Sequence, residues 1–161
     1  VCVTGGEPTL QPELPEFLEK IRDLGFAIKL DTNGTNPGML KVLLHDGFLD
    51  YVAMDIKNSP RRYAETCGVD ILSRVQESVL LLQDSLADYE FRTTVCRPLH
   101  TEREMEEIGR WLKGAKRYFL QPFVDSGSLV SGGVQAHTRD ELARLRQAVL
   151  PYIPNTQLRG I

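Results

Sequence analysis

Apolar residues recur along this chain with two alternating periods. Residues 1–4 are a short apolar run closed by Gly5-Gly6. Residues 13–24 then place Leu14, Phe17, Leu18, Ile21 and Leu24 on one helical face, with Gly25 as the stop. Strand-like segments follow at 26–31, 49–56, 89–96 and 117–121, and helix-like segments at 37–45, 71–85, 101–112 and 138–152. Pro37 opens one helix and Gly47 lies just past its end, while Thr101 and Glu104 fit a capping box. Ile71, Val75, Val79 and Leu82 make another apolar stripe, and residues 157–159 read as a final edge strand. Strands separated by whole helices need crossover connections, which predicts an α/β fold with a parallel sheet. The pattern fits a doubly wound open sheet and a piece of a (β/α) barrel equally well. In both, ligand chemistry gathers at the carboxyl ends of the strands.

Composition narrows the class without naming it. The chain has 161 residues, 42% hydrophobic and 25% charged, which fits one globular domain and excludes disordered or collagen-like material. Its apolar runs, such as Val79-Leu80-Leu81-Leu82, are too short to span a membrane. Nineteen basic against 22 acidic residues give a net charge of -3, so general nucleic-acid affinity finds no support. Cys2, Cys67 and Cys96 form no CxxC clip and make a poor disulfide scaffold. No signal peptide is visible, and cytoplasmic residence is the expectation. Residue 1 is Val, already inside a strand, so we expect the natural start of the protein to be missing.

The predicted strand ends carry polar residues of different kinds. The first runs into Thr4-Gly5-Gly6-Glu7-Pro8-Thr9, where two glycines let the backbone approach a ligand and Glu7 offers a partner for an ammonium group. Taken alone this hexapeptide is equally a strand-to-helix turn, and it is not a dinucleotide fingerprint. The second strand ends Asp31-Thr32-Asn33-Gly34, and the third ends Met54-Asp55-Ile56-Lys57. An acid in an apolar strand is costly unless it is paired or serves a site. Period-two alternation sets Asp55 and Lys57 on one face, as a site or as a structural ion pair. The fourth strand carries Arg92 in Phe91-Arg92-Thr93-Thr94-Val95, and the fifth ends in Gln121-Pro122-Phe123.

In combination, Thr4-Gly5-Gly6-Glu7-Pro8, Asp31-Thr32-Asn33-Gly34, Met54-Asp55-Ile56-Lys57 and Phe91-Arg92-Thr93-Thr94-Val95 resemble the radical S-adenosylmethionine enzymes. Within them the chain looks like the glycyl-radical-enzyme activases, of the anaerobic ribonucleotide reductase type, with the pyruvate formate-lyase type a near relative. The resemblance implies a partial (β/α)6 TIM-like barrel, here one core domain over residues 1–161 lacking the first strand and the cluster-binding loop. It implies S-adenosylmethionine as cosubstrate, with Gly5, Gly6 and Glu7 at its amino group. Asp31, Thr32 and Asp55 would surround its carboxylate and a monovalent cation, and Lys57 would face its carboxylate or ribose. Arg92 and Gln121 would line the same interior.

The family also implies a [4Fe-4S] cluster on a CxxxCxxC loop, a motif this sequence does not contain. Three thiolates must converge on such a cluster, and Cys2, Cys67 and Cys96 do not have that spacing. The resemblance further implies reductive cleavage of the cosubstrate, a glycyl radical enzyme as partner, and an electron donor such as flavodoxin or ferredoxin. Without the cysteine loop these residues are expected to be inactive alone. Two other readings stay open: a non-redox nucleotide- or protein-binding module, and a radical enzyme acting on a small molecule. An exposed sheet edge would favour an oligomer.

Several residues lie outside the motifs. His45 and His137 read as solvated, and His100, after the fourth strand, as either structural or ligand-touching. Cys96 ends a strand near the expected site, and Lys57, Arg61 and Arg62 form a basic cluster that reads as solvated surface or a partner contact. Trp111 reads as core, and residues 125–133 as a lid or a plain connector.

Overall fold

A computed structural model describes residues 1–125 and 133–160, so the expected lid lies almost wholly outside the described residues. The strands are β1 (Cys2–Val3), β2 (Lys29–Thr32), β3 (Tyr51–Asp55), β4 (Asp88–Val95), β5 (Tyr118–Pro122) and β6 (Thr156–Leu158). The helices are α1 (Leu14–Asp23), α2 (Pro37–His45), α3 (Tyr63–Cys67), α4 (Leu72–Gln83), α5 (Glu102–Trp111) and α6 (Arg139–Val149). The strands follow chain order through the sheet, from β1 to β6. A doubly wound sheet would reverse its strand order at a switch point, whereas a barrel wall runs in sequence, so topology makes the choice that periodicity could not. No helix among the described residues is long and apolar enough to cross a membrane.

The chain divides into two compact units. The first comprises Val1–Asp55 and Ile71–Glu90. In it β1 pairs with β2 and β2 with β3, both parallel, with Leu30 opposite Val52. Val52, Ala53 and Met54 are all buried, the mark of a strand covered on both faces. Leu14, Leu18 and Ile21 of α1, Leu40 and Leu43 of α2, and Val75, Val79 and Leu82 of α4 are also buried in this unit. Full burial of each such side chain stabilises by about 1.5–3 kcal/mol. The stripe expected on α1 is narrower than the sequence suggested. Phe17 is 51% and Leu24 73% exposed, because both flank the line through Leu14, Leu18 and Ile21.

The second unit comprises Ile56–Asp70 and the described residues from Phe91 on. Here β4 pairs with β5 and β5 with β6, again parallel, with Phe91 opposite Tyr118 and Tyr118 opposite Thr156. Buried Tyr118 sets its hydroxyl 2.6 Å from Thr93 Oγ1, which meets the need of a phenol for a partner in the core. Burial pushes that phenol's pKa well above its usual value. Both main helices start as their sequences require. Glu104 accepts from the Thr101 amide at 3.3 Å, and Glu141 from the Thr138 amide at 2.6 Å, closing two capping boxes. Trp111 is half-buried and meets Tyr63 edge-on, with ring centroids 5.9 Å apart.

Candidate functional site

In the first unit the ends of β1 and β2 are tied together by one carboxylate. Glu7 caps the 3-10 turn Pro8–Leu10, and its Oε1 accepts from the Thr9 amide at 3.1 Å and the Thr9 hydroxyl at 2.6 Å. The same oxygen accepts from Thr32 Oγ1 at 2.8 Å, and Oε2 accepts from the Asn33 amide at 2.6 Å. Four donors converge on one carboxylate and fix it in place. Glu7 is therefore a staple between two strand-end loops, and its side chain is largely committed to that job. Thr32 is equally committed: it is 4% exposed, and its hydroxyl also accepts from the Gly34 amide at 3.1 Å.

Glycines shape both loops. Gly5 has φ +141°, and a Cβ added at Gly5 or Gly6 would meet nothing within 4 Å, so the backbone there faces open space. Gly34 is the opposite case. At φ +73° it packs so closely that a Cβ would lie 2.1 Å from Met54 Cε and 3.3 Å from Ser78 Cβ. Nearby, Asn36 Nδ2 donates to the Thr9 carbonyl at 2.6 Å, and Ser78 Oγ to the Gly34 carbonyl at 2.8 Å. The sequence reading missed Thr9 and Asn36, whose only local signal was a turn-rich context, and Ser78, which lies inside α4 with no local signal.

Asp31, two residues along β2 from Lys29, accepts from Lys29 Nζ at 2.7 Å and is mostly buried. Cys2 Sγ lies 3.9 Å from the same carboxylate oxygen. An ammonium group thus already sits on one of the residues expected to hold a cation. Asp55 ends β3, half-buried. A cavity of about 370 Å³ beside the glycines is lined by Val3, Gly6, Glu7, Leu14 and Phe17. A larger one, about 870 Å³, opens at the amino ends of β3 and β4 around Leu49, Asp50 and Leu86, and holds none of the expected site residues.

The second unit holds Lys57, Arg92 and Gln121. Arg92 lies opposite Phe119 and Thr94 opposite Gln121, so Arg92 and Gln121 share one face of the β4–β5 pair. Arg159 places its guanidinium 3.6 Å from the centroid of the Phe119 ring. Sequence reasoning did not single out that stacked pair. Lys57 is exposed, yet its neighbours Ile56, Asn58 and Ser59 are all buried. Of the basic cluster, Arg61 pairs with Glu104 at 2.5 Å and Arg62 with Glu65 at 2.6 Å, so both guanidinium groups serve local ion pairs.

His100 is 2% exposed and touches backbone rather than open space. Burial pushes its pKa below the usual imidazole value, against the pull of its hydrogen bonds to the Lys57 and Cys96 backbone. His137, expected in solvent, has a side chain only 6% exposed, with Nδ1 3.6 Å from Glu141 Oε2. It lies two residues before α6.

The thiols do not assemble a cluster site. Cys2 is exposed, Cys67 half-buried and Cys96 buried, all free. Burial pushes the Cys67 and Cys96 thiols up, away from the thiolate form that metal ligation needs. Among the described residues no group of three His, Cys, Asp or Glu side chains could hold a metal ion. The donor set of these residues does not fit a [4Fe-4S] cluster.

Known proteins resemble this chain in sequence and in fold. Residues 1–112 match the family model of the radical SAM superfamily. A protein of Methanocaldococcus jannaschii named "Putative glycyl-radical enzyme activating enzyme MJ1227" is 30% identical over 169 residues, covering 100% of this chain and 70% of that protein. A "Probable GTP 3',8-cyclase" of Sulfolobus acidocaldarius is 37% identical over 81 residues, 49% of this chain and 26% of that one. The crystal structure of a domain of pyruvate-formate lyase-activating enzyme from Bacteroides vulgatus superposes with a TM-score of 0.74 at 16% identity, covering 99% of this chain and 98% of that one. That likeness shows the fold class: the α/β partial barrel that the family resemblance implied.

Proposed function

The chain belongs to the radical SAM superfamily, and from that premise we propose that it is the cosubstrate-binding core of a glycyl-radical-enzyme activase. The observation that carries the proposal is the 30% identity to the Methanocaldococcus jannaschii protein, which extends over the whole of this chain. The site supports it from below. Open backbone at Gly5-Gly6 suits the amino group of S-adenosylmethionine, with Glu7 holding the loop in shape rather than reaching the ligand itself. Asp31 and Asp55 supply negative charge at the strand ends, with Thr32 fixing the turn between them. Lys57 and Arg92 supply positive charge for a carboxylate, and Gln121 an amide for the ribose or base. The family implies a cluster that would supply an electron, and the described residues do not fit it. The residues of this chain bind and orient the cosubstrate and exclude water from it. By themselves they do not turn it over.

The partner on this reading is a glycyl radical enzyme of the anaerobic ribonucleotide reductase type, with a flavodoxin or ferredoxin as electron donor. The test is anaerobic incubation of the iron-loaded protein from the intact gene with S-adenosylmethionine, reductant and that reductase. A glycyl radical signal in electron paramagnetic resonance is the expected result. Its absence, with iron and cosubstrate both bound, overturns the reading. A second reading, a radical enzyme acting on a small molecule, draws on the identity to the cyclase, which covers only 49% of this chain. Release of 5′-deoxyadenosine that depends on a nucleotide, with no protein radical, would favour it.

A further inference from the structure

Lys57 stands on a segment whose backbone is fastened atom by atom. The Ile56 amide donates to the Arg92 carbonyl at 2.8 Å, and the Ile56 carbonyl accepts from Thr93 Oγ1 at 2.7 Å. The Lys57 amide donates to the Tyr63 hydroxyl at 3.3 Å. The Lys57 carbonyl lies 2.9 Å from His100 Nε2. Asn58 Nδ2 donates to Thr66 Oγ1 at 2.8 Å and to the Leu99 carbonyl at 3.0 Å. A long flexible side chain is thereby rooted in a stretch of main chain that is hydrogen-bonded at each of these atoms.

The imidazole is set in one tautomer by its surroundings. The Cys96 amide donates to His100 Nδ1 at 3.1 Å, so Nδ1 carries the lone pair and Nε2 carries the proton. That proton points at the Lys57 carbonyl. The opposite tautomer would set two lone pairs against each other at Nε2. The ring is buried, lines no expected ligand face with either nitrogen, and bridges the segment after β3 to the turn after β4.

We propose that His100 is a positioning residue for Lys57: its Nε2–H holds the Lys57 carbonyl and so aims the ammonium group at the anionic end of the bound cosubstrate. The proposal rests on the reading of Lys57 as a cosubstrate-binding residue. It makes His100 act through the backbone and never touch the ligand. Tyr63, which receives the Lys57 amide, is the second half of the same clamp. Protonation of His100 would put an N–H at Nδ1, where the Cys96 amide now donates and the Cys96 carbonyl lies 3.3 Å away. The charged or titratable groups that act on the ring are His137, Arg62 and the Cys96 thiol, and both His137 and Arg62 disfavour that protonation.

The test compares two substitutions in the intact protein. In His100→Gln the amide nitrogen reaches the Nε2 position and keeps the donor to Lys57. In His100→Asn the shorter side chain keeps an acceptor for Cys96 and loses that donor. Hydrogen exchange by mass spectrometry reads the amides of residues 57–59, and titration calorimetry reads S-adenosylmethionine affinity, with Lys57→Ala as reference. The expected result is faster exchange and about tenfold weaker binding in His100→Asn, the size of one missing buried hydrogen bond. His100→Gln should restore both. Wild-type behaviour in both variants, or equal loss in both, overturns the proposal. Unchanged affinity in Lys57→Ala overturns the cosubstrate reading of Lys57, while the exchange rates still decide whether the clamp exists. Should His100→Asn fail to fold, Tyr63→Phe removes the other half of the clamp, and wild-type exchange and affinity there overturn the proposal as well.

Discussion

The loops after β1 and β2 and the segment after β3 solve one problem in different ways. Each must hold a polar strand end rigid, beside the cosubstrate on the proposed reading. In the first, the motif residues hold one another: Glu7 grips Thr9, Thr32 and Asn33, and Thr32 grips Gly34. In the second, Lys57 is held by residues outside its own motif. Thr93 and Tyr63 fasten Ile56 and Lys57, and His100 reaches back across 43 positions of sequence. A motif thus has two possible sources of rigidity. Where it is self-bonded, its spacing announces it. Where it is clamped from outside, only the lysine shows.

The comparison breaks most sharply at Gly34. A Gly34→Ala chain must accept a left-handed backbone and force Met54, itself fully buried, from its place. We expect a loss of about 2–5 kcal/mol in urea unfolding, from strain and overpacking together. Next comes Glu7→Gln, which sets an amide nitrogen or a neutral oxygen against four donors. About 2–3 kcal/mol of stability should go, read in the same way, because bonds to a charged acceptor disappear and one donor is left facing another. A loss below 0.5 kcal/mol, on the scale of ordinary surface substitutions, would mean that the staple contributes nothing.

His100 should give a smaller effect that depends on pH. Its folded-state pKa lies below the ordinary value of 6.5, so the unfolded chain binds the proton more readily. Stability is therefore complete above about pH 6.5 and falls as pH drops from there through the lowered value. In His100→Gln that part of the slope should vanish. Denaturant midpoints between pH 7 and pH 5 will show whether it does. The smallest stability effect belongs to Asp31→Asn, which breaks a partly exposed pair with Lys29 worth about 1 kcal/mol or less. Its effect on S-adenosylmethionine affinity should be larger, about tenfold weaker by calorimetry, as expected when one hydrogen bond to a charged group is removed. Unchanged affinity would remove Asp31 from the site.

The alternation of strand and helix was readable because it rests on local periodicity. Pro37 opens α2, and Thr101 with Glu104 caps α5, as their spacing requires. The expected edge strand at 157–159 is real and lies at Thr156–Leu158, one residue earlier. Phe17 and Leu24 were misplaced because a helical stripe has soft edges, and only packing within the folded unit decides which flank is covered. His137 was misread because a polar ring before a helix looks solvated until its neighbours close over it. His100 carried two readings in the sequence, and its burial against Lys57 and Cys96 favours the structural one.

Residues close in sequence set the helix caps, the glycine turns and the order of charged groups at the strand ends, since those depend on neighbours a few positions away. That much of the protein, including its family, is written in the order of its residues. The tertiary structure alone decided which polar and charged groups are spent on holding the scaffold and which are not. Glu7, Thr32, Arg61 and Arg62 went to the scaffold, and the Lys57 backbone went to His100. The physical reason is that a hydrogen bond is made by distance in space. Partners drawn from positions 93 and 100 meet Ile56 and Lys57 only after the parallel crossover has brought them there.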